Sequence, residues 1–170
     1  SQVNSIFNID RDIGVHLHGQ FQAGQMVIRP IFAFSKGEGR NIISNNMGGF
    51  SYTGKLELLP LGEFTSKGDY FEADLKREEK PKLSLAAFAN YNEGASRQTQ
   101  TGSFLLDTAG EYMSNNLLTV MADVLFKYKG FSFAAEYGFK KVMLKSGQSL
   151  SVTDSSIVSA DGKSYRTGYG

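Results

Sequence analysis

The most regular stretch of the chain alternates apolar and polar residues at every second position between residues 118 and 128. One side is apolar throughout: Leu118, Val120, Ala122, Val124, Phe126 and Tyr128. The other side is mixed: Thr119, Met121, Asp123, Leu125 and Lys127. A period of two places successive side chains on opposite faces of an extended strand. The stretch therefore predicts a β-strand with one apolar face.

A second alternating stretch follows from residue 131 to residue 140. Its apolar side consists of Phe131, Phe133, Ala135, Tyr137 and Phe139, and its other side includes Glu136 and Lys140. Lys129 and Gly130 separate the two stretches and predict a two-residue hairpin turn. In that register residue 128 faces 131 and residue 124 faces 135, so the two apolar sides merge into one surface. A type I′ turn requires a positive φ at Lys129, where Asn or Gly is more usual.

Four further stretches repeat the alternation, within residues 13–21, 28–35, 50–58 and 82–91. These stretches span eight to ten residues, close to the roughly nine to eleven that a tilted strand needs to cross a bilayer. The connections differ in length. Residues 22–26 and 129–130 are short, whereas 36–49, 92–117 and 143–164 are long, polar and rich in Gly, Ser and Asn. Short turns at one end and long loops at the other are typical of outer-membrane barrels.

The connection at residues 60–82 breaks this rhythm, because it lies on the short-turn side and yet is long and highly charged. We expect it to be a folded-back periplasmic loop with one helical turn. The pattern as a whole predicts an all-β chain, residues 1–170 as one domain, with an antiparallel up-and-down sheet of about six strands and the start of a seventh.

Two architectures fit such a sheet: a transmembrane β-barrel and a water-soluble sandwich. Aromatic residues near the strand ends favour the barrel, because they suit the headgroup region. These residues are Phe50, Tyr52, Tyr91, Tyr128, Phe131 and Phe139. About six strands cannot close a barrel, since roughly eight is the lower limit. The polar start of the chain and its strand-like end also suggest a section of a longer sequence, so we expect a partial barrel.

Composition narrows the function classes. The net charge of +1 gives no electrostatic case for nucleic acid. The absence of cysteine excludes disulfides, thiolate metal sites and thiol catalysis. No nucleophile motif such as G-x-S-x-G is present, and no stretch approaches a membrane helix of ~20 apolar residues. We therefore expect neither an enzyme nor a cofactor.

Several segments resemble one family. The segments are residues 8–19 (NIDRDIGVHLHG), 58–70 (LLPLGEFTSKGDY), 74–83 (DLKREEKPKL) and 122–133 (ADVLFKYKGFSF), the last followed by Glu136 and Tyr137. Together they resemble the phosphate-selective porin O and P family of Bacteroidetes over about residues 4 to 142. The resemblance implies a transmembrane barrel of about sixteen strands in the bacterial outer membrane, often trimeric, that passes anions such as phosphate or other small solutes. This chain would be an internal section of it.

The candidate pore-lining residues are the charged groups on the predicted lumen face: Arg29, Lys55, Glu57, Asp123, Lys127, Glu136 and Lys140. The basic members would lower the barrier for anions. Alternatively, they neutralise the acidic members within the wall. Asp123 faces Glu136 in the hairpin register, and opposed like charges need a neighbouring lysine, a cation or a raised pKa.

Other sequence features carry weaker predictions. His16 and His18 share a strand face, but a structural zinc site usually needs four ligands, so we expect no metal. Gly37–Arg40 lacks the strand–loop–helix context of a phosphate-binding loop and is expected to be a loop tip. Phe104–Leu106, within loop 92–117, is either a constriction folded into the lumen or a contact with another loop or protein.

Three functions follow from these patterns. The first is a passive outer-membrane pore for small solutes. The second is a barrel subunit with a structural or partner-binding role in a larger outer-membrane assembly. The third is a soluble surface β-sandwich that binds a ligand.

Overall fold

The secondary structure is almost entirely β-strand in the computed structural model, which describes residues 9, 11–39, 48–97, 112, 114–143, 156–158, 164–166 and 168–169. The strands are β1 (Gly14–His18), β2 (Phe21–Ala23), β3 (Met26–Ser35), β4 (Ser51–Leu59), β5 (Lys82–Ala95), β6 (Asn115–Tyr128), β7 (Phe131–Met143), β8 (Ser156–Val158), β9 (Ser164–Arg166) and β10 (Gly168–Tyr169). One 3₁₀ helix, Thr65–Tyr70, lies between β4 and β5. No helix within the described ranges is long and apolar enough to span a membrane.

The strands form an antiparallel meander. The order across the main sheet is β1-β3-β4-β5-β6-β7-β10, with β2 also paired to β3, and β8 and β9 form a separate pair. From β3 to β7 each strand pairs with the next one along the chain. The all-β, antiparallel prediction is confirmed. The outermost strands β1 and β10 are not paired with each other, so the sheet is open.

The predicted hairpin between β6 and β7 is present with the expected register. Tyr128 pairs with Phe131, and Val124 pairs with Ala135. Lys129 has φ 49° and Gly130 has φ 91°, so both turn residues are left-handed, as a type I′ turn requires. Lys129 therefore adopts an unfavourable backbone conformation, and the turn that it forms keeps the two apolar sides on one surface.

The predicted strand at residues 13–21 is interrupted, because β1 ends at His18 and β2 starts at Phe21. Pro30 of β3 lies opposite the break. The Gly19 amide donates to the Pro30 carbonyl at 3.0 Å, but Pro30 has no N–H to donate in return. One ladder bond is thus missing at this point, and the strand divides there.

Strands β5 and β6 extend further than the alternation predicted, to 14 residues each. Residues 92–95 and 115–117, expected as parts of a loop, are strand. A register shift between Asn92 and Ala95 accommodates the extension, and Gly94 within it has φ 62°. Such a bulge hides the continuing strand from a strict period-two pattern.

The connection at residues 60–82 folds back against the sheet. Where one helical turn was predicted it has the short 3₁₀ segment Thr65–Tyr70, which is kinked, with left-handed φ values of 52° at Ser66 and 57° at Lys67. Phe64 of this connection packs with Val27, Leu59 and Leu125 in the buried apolar cluster. These three strand residues belong to the polar face, near the short turns. The connection therefore covers that end of the polar face.

Candidate functional site

The polar face of the sheet holds all seven candidate residues. Arg29 pairs with Glu57 across β3 and β4, and Asp123 pairs with Glu136 across β6 and β7. Ala86 faces both Glu57 and Asp123, so one continuous row connects the two pairs. Directly paired residues of antiparallel strands point to the same side of the sheet. The structure thus brings the candidates together on one surface.

Arg29 is the centre of an ion-pair network. Its guanidinium lies 2.8 Å from Glu57, 3.2 Å from Glu63 and 2.6 Å from Asp69. Glu63 and Asp69 come from the folded-back connection, and Gln20 adds its Oε1 as an acceptor for the Arg29 Nε at 3.2 Å. A guanidinium offers several donors in a fixed plane, which suits several carboxylates at once. Arg29 therefore ties the connection to the strand wall.

Lys127 is buried beneath the same connection, with 1% of its surface exposed. Its ammonium donates to the carbonyls of Gly68 at 2.7 Å and Ala73 at 2.8 Å, and lies 6.0 Å from the Phe64 ring centroid. Lys82 faces Lys127 across β5 and β6 and donates to the Leu61 carbonyl at 3.0 Å. Lys127 thus holds backbone in place, and it presents no charge to open space.

The connection is also anchored to the β6–β7 turn, through the carboxylate of Asp74 and the backbone carbonyl of Glu78. Asp74 accepts a bond from the Gly130 amide at 2.7 Å, and the Glu78 carbonyl accepts from the Lys129 amide at 2.9 Å. The Glu78 carboxylate accepts from both the amide and the hydroxyl of Thr65. Because the bonds to the β6–β7 turn join distant parts of the chain, they hold the connection in a defined position against the sheet.

The middle of the polar face is less crowded. Asp123 and Glu136 are both exposed and directly opposed. The charges of Lys55, Glu57 and Glu136 all act on Asp123, and Lys55 lies 3.4 Å from Glu57. The predicted wall neutralisation is therefore observed for Arg29 and Lys55. Lys140 is buried and faces Thr119 in the register.

A pocket of about 760 Å³ lies between the connection and the strand wall. Its charged lining consists of Arg29, Lys67, Glu57, Glu63 and Asp69. His18 of β1 and Tyr70 of the connection also line this pocket. The three carboxylates outnumber the two cationic side chains, so the pocket is more acidic than the chain as a whole.

The opposite face of the sheet is apolar apart from Lys141 near its long-loop end, and none of its residues on strands β1 to β7 is buried. Its large exposed apolar members on the paired strands are Val15, Leu17, Phe21, Phe32, Tyr52, Leu56, Leu85, Phe131, Phe133, Tyr137 and Met143. The buried strand residues lie instead on the polar face, among them Leu59, Leu125 and Lys127. In this sheet the apolar face is exposed and the buried residues lie on the polar face. A sheet that covers an apolar core has the reverse arrangement.

The histidines and the long-loop end add two further features. The rings of His16 and His18 lie 4.2 Å apart, and the described residues contain no group of three or more His, Cys, Asp or Glu side chains that could hold a metal. At the long-loop end Glu38 is 1% exposed, and its Oε1 accepts from the Ser96 amide at 3.3 Å. Its Oε2 has no hydrogen-bond partner among the residues that the structure describes, and burial raises the pKa of this carboxyl.

Sequence reasoning missed the four carboxylates that organise the connection, namely Glu63, Asp69, Asp74 and Glu78. The unusual length and charge of residues 60–82 were the available signal. Phe104–Leu106 and Arg40 lie outside the described residues, so the constriction prediction for loop 92–117 stays a prediction. No family model, curated protein or solved structure matches this chain. The porin resemblance therefore also stays a prediction.

Proposed function

We propose that this sheet is part of the wall of an outer-membrane β-barrel, and that its polar face lines a water-filled passage for small solutes. The observation that carries the proposal is the reversed burial: the continuous apolar face is uncovered, and the buried groups lie on the charged face. In a soluble sandwich the apolar faces pack together and charged groups point to solvent. In a barrel wall the apolar face meets hydrocarbon.

The proposed transport is passive and needs no chemical step or cofactor. Solutes would move along the polar face down their gradient, and the charged side chains and the free width would set which solutes pass. The folded-back connection occupies space on this face at the short-turn end, held by Arg29 and Lys127. It therefore reduces the free width there.

The open edges of the sheet require further strands in this proposal. Strands β1 and β10 are unpaired on their outer sides in the described sheet. Each backbone group left unpaired in hydrocarbon costs several kcal/mol, so a spanning sheet must close. The porin resemblance suggests about sixteen strands and a trimer, and we adopt both as parts of the proposal.

A role as a subunit of a larger outer-membrane assembly is the second candidate. One observation favours it: Tyr70, Phe71 and Leu75 of the connection are 73%, 58% and 77% exposed. Large apolar side chains that are exposed to solvent at the end of a barrel are typical of a contact site for another protein. This role and the pore are compatible.

Two measurements on the complete protein test the proposal. Size-exclusion chromatography with and without detergent should show a monodisperse protein only with detergent, whereas a protein that stays monodisperse in plain buffer contradicts the barrel. Planar-bilayer recordings should then show stepwise conductance. A detergent-dependent protein that gives no conductance would support the subunit role instead of the pore.

A further inference from the structure

One charged side chain interrupts the apolar face of β7. Lys141 pairs with Leu118 across β6 and β7, on the same side as Phe139 and Met143, which lie two positions away in either direction. The lysine is exposed, and these three neighbours carry no charge. A lysine on a lipid-facing surface is strongly destabilising at the bilayer midplane and tolerated near the interface. The depth of Lys141 in the barrel wall therefore decides what it contacts.

The length of the strand places Lys141 at the rim of the apolar band. β7 begins at Phe131, directly after the short turn, and Lys141 lies ten residues further along. At about 3.4 Å per residue this is a path of about 34 Å. A strand tilt of about 40° reduces the path to a height of about 26 Å, and the apolar band of an outer-membrane barrel is about 25 Å tall. Lys141 therefore lies at the level of the lipid headgroups, at the end with the long loops.

A second lysine repeats this placement on β3. Lys36 lies ten residues after Met26, the first residue of β3, which also follows a short turn. It is exposed, and its amide donates to the Ile13 carbonyl at 3.0 Å, so the pairing with β1 continues to this position. Alternation then puts Lys36 on the side of Phe34, and the same strand length puts it at the same rim.

Aromatic rings mark the same level of the apolar face. Phe34 contacts Phe50 and Tyr52, with ring centroids 4.8 Å and 5.3 Å apart. Phe34 is two residues from Lys36, and Tyr52 lies in the same pairing row as Lys141. Aromatic side chains favour the headgroup region at each membrane interface. Their position supports the level that the strand lengths give for the two lysines.

We propose that this rim binds the phosphate groups of outer-leaflet lipids, with Lys141 and Lys36 as its cationic contacts. The inference rests on the proposed barrel wall, and it adds a partner class: the phosphorylated glycolipids that form the outer leaflet of a bacterial outer membrane. The long loops of such barrels face outward, so the long-loop rim meets this leaflet. A lysine stem packs along apolar surface while its ammonium reaches the polar level, where a phosphate is a matching charged acceptor.

The charges around the two lysines predict unequal contributions. The charge of Lys36 also acts on the buried carboxyl of Glu38, so part of it is matched within the protein. Lys141 has neutral paired and flanking residues and is therefore the stronger contact. Glu93 is exposed in the bulge of β5, and its amide donates to the Phe50 carbonyl at 2.9 Å. Because Phe50 belongs to the aromatic rings of this rim, the Glu93 carboxylate repels a phosphate bound there.

Native mass spectrometry of the complete protein in detergent, titrated with diphosphoryl lipid A, tests the proposal. The wild-type protein should bind this lipid more tightly than a phosphate-free lipid A with the same acyl chains. Lys141→Gln should raise the apparent dissociation constant about five-fold, the contribution of one lysine near a charged membrane surface, and Lys36→Gln about two-fold. Glu93→Gln should lower the dissociation constant, because it removes a repelling charge.

Matched controls separate the two lysines from general lipid binding. Lys80→Gln removes an exposed lysine of the connection, at the short-turn end, and should leave the dissociation constant unchanged. All variants should bind the phosphate-free lipid alike. Equal wild-type affinity for both lipids, or an unchanged dissociation constant in Lys141→Gln, overturns the inference and leaves the barrel wall intact. A protein that is monodisperse without detergent contradicts the barrel wall and the inference together.

Discussion

The two faces of the sheet are formed by the same strands, but they are stabilised in different ways. The apolar face is continuous through six paired strands, yet none of its residues on strands β1 to β7 is buried. The polar face buries Lys127, Leu59 and Leu125 under a connection that supplies matched partners. The apolar face requires only apolar surroundings, because the hydrophobic effect does not depend on the direction of individual contacts. The polar face requires specific geometry, because a buried charge is tolerated only with partners in place.

The two faces therefore depend on different features of the amino-acid sequence. An uncovered apolar face depends on which residue types alternate, and many apolar substitutions would keep it. The covered polar face depends on pairs such as Arg29 with Asp69, which are 40 residues apart in the chain. Substitutions should therefore have face-dependent effects, and the following predictions test this from the largest effect to the smallest.

The strongest contrast uses two neighbouring alanines of β7. Ala135 belongs to the apolar face and Ala134 to the polar face, and both are exposed. Ala135→Arg should destabilise the folded protein in lipid by about 2–4 kcal/mol, because it places a charge in hydrocarbon, whereas Ala134→Arg should change the stability little. Urea titration in vesicles, followed by tryptic protection, measures both. Equal effects at the two positions would contradict the assignment of the faces.

The second prediction concerns the buried lysine of the polar face. Lys127→Met keeps the length of the side chain but leaves the carbonyls of Gly68 and Ala73 without their donor. We expect a loss of about 1–3 kcal/mol and faster proteolysis within residues 60–82. The control Lys80→Met removes an exposed lysine of the same connection and should do neither. Unchanged proteolysis in Lys127→Met would show that this lysine does not hold the connection.

The third prediction uses pH at the long-loop end of the sheet. Burial outweighs the Ser96 hydrogen bond and the charge of Arg97, and it raises the pKa of Glu38. The folded state then binds a proton more tightly than the unfolded state, so stability falls as the pH rises from the ordinary pKa through the raised one. Glu38→Gln should raise the stability at pH 7 by about 1 kcal/mol.

The gain from Glu38→Gln should disappear near pH 4, where both states of the wild type carry the proton. Thermal unfolding of both proteins across this pH range measures the difference. A gain that is independent of pH would contradict the role of Glu38 ionisation.

The smallest expected effect is at the turn that joins the two most regular strands. Lys129 is held at φ 49°, and Asn adopts this conformation with less strain. Lys129→Asn should raise the stability by up to about 1 kcal/mol without changing either face. Unfolding titrations check this, with Lys80→Asn as a control. A loss of stability would indicate that Lys129 makes a contact that matters more than its backbone strain.

The sequence predicted the apolar face well because alternation is a local signal. The two-residue alternation predicts the six paired strands and the hairpin register, and Gly130 predicts the type I′ turn. The break opposite Pro30 and the bulge at Gly94 were missed, because each depends on a neighbouring strand. The network around Arg29 was not predictable, since Glu63 and Asp69 reach it only when the connection folds back over the sheet.

Spin labels along β7 test most directly whether the apolar face meets lipid. The chain has no native cysteine, so single cysteines from residue 132 to residue 139 can each carry a nitroxide without interference. In lipid vesicles, residues 133, 135, 137 and 139 should be accessible to molecular oxygen and shielded from a water-soluble nickel reagent. Residues 132, 134, 136 and 138 should show the lower oxygen accessibility. If the odd-numbered positions are instead shielded from both reagents, this face is packed against protein and the barrel-wall account is wrong.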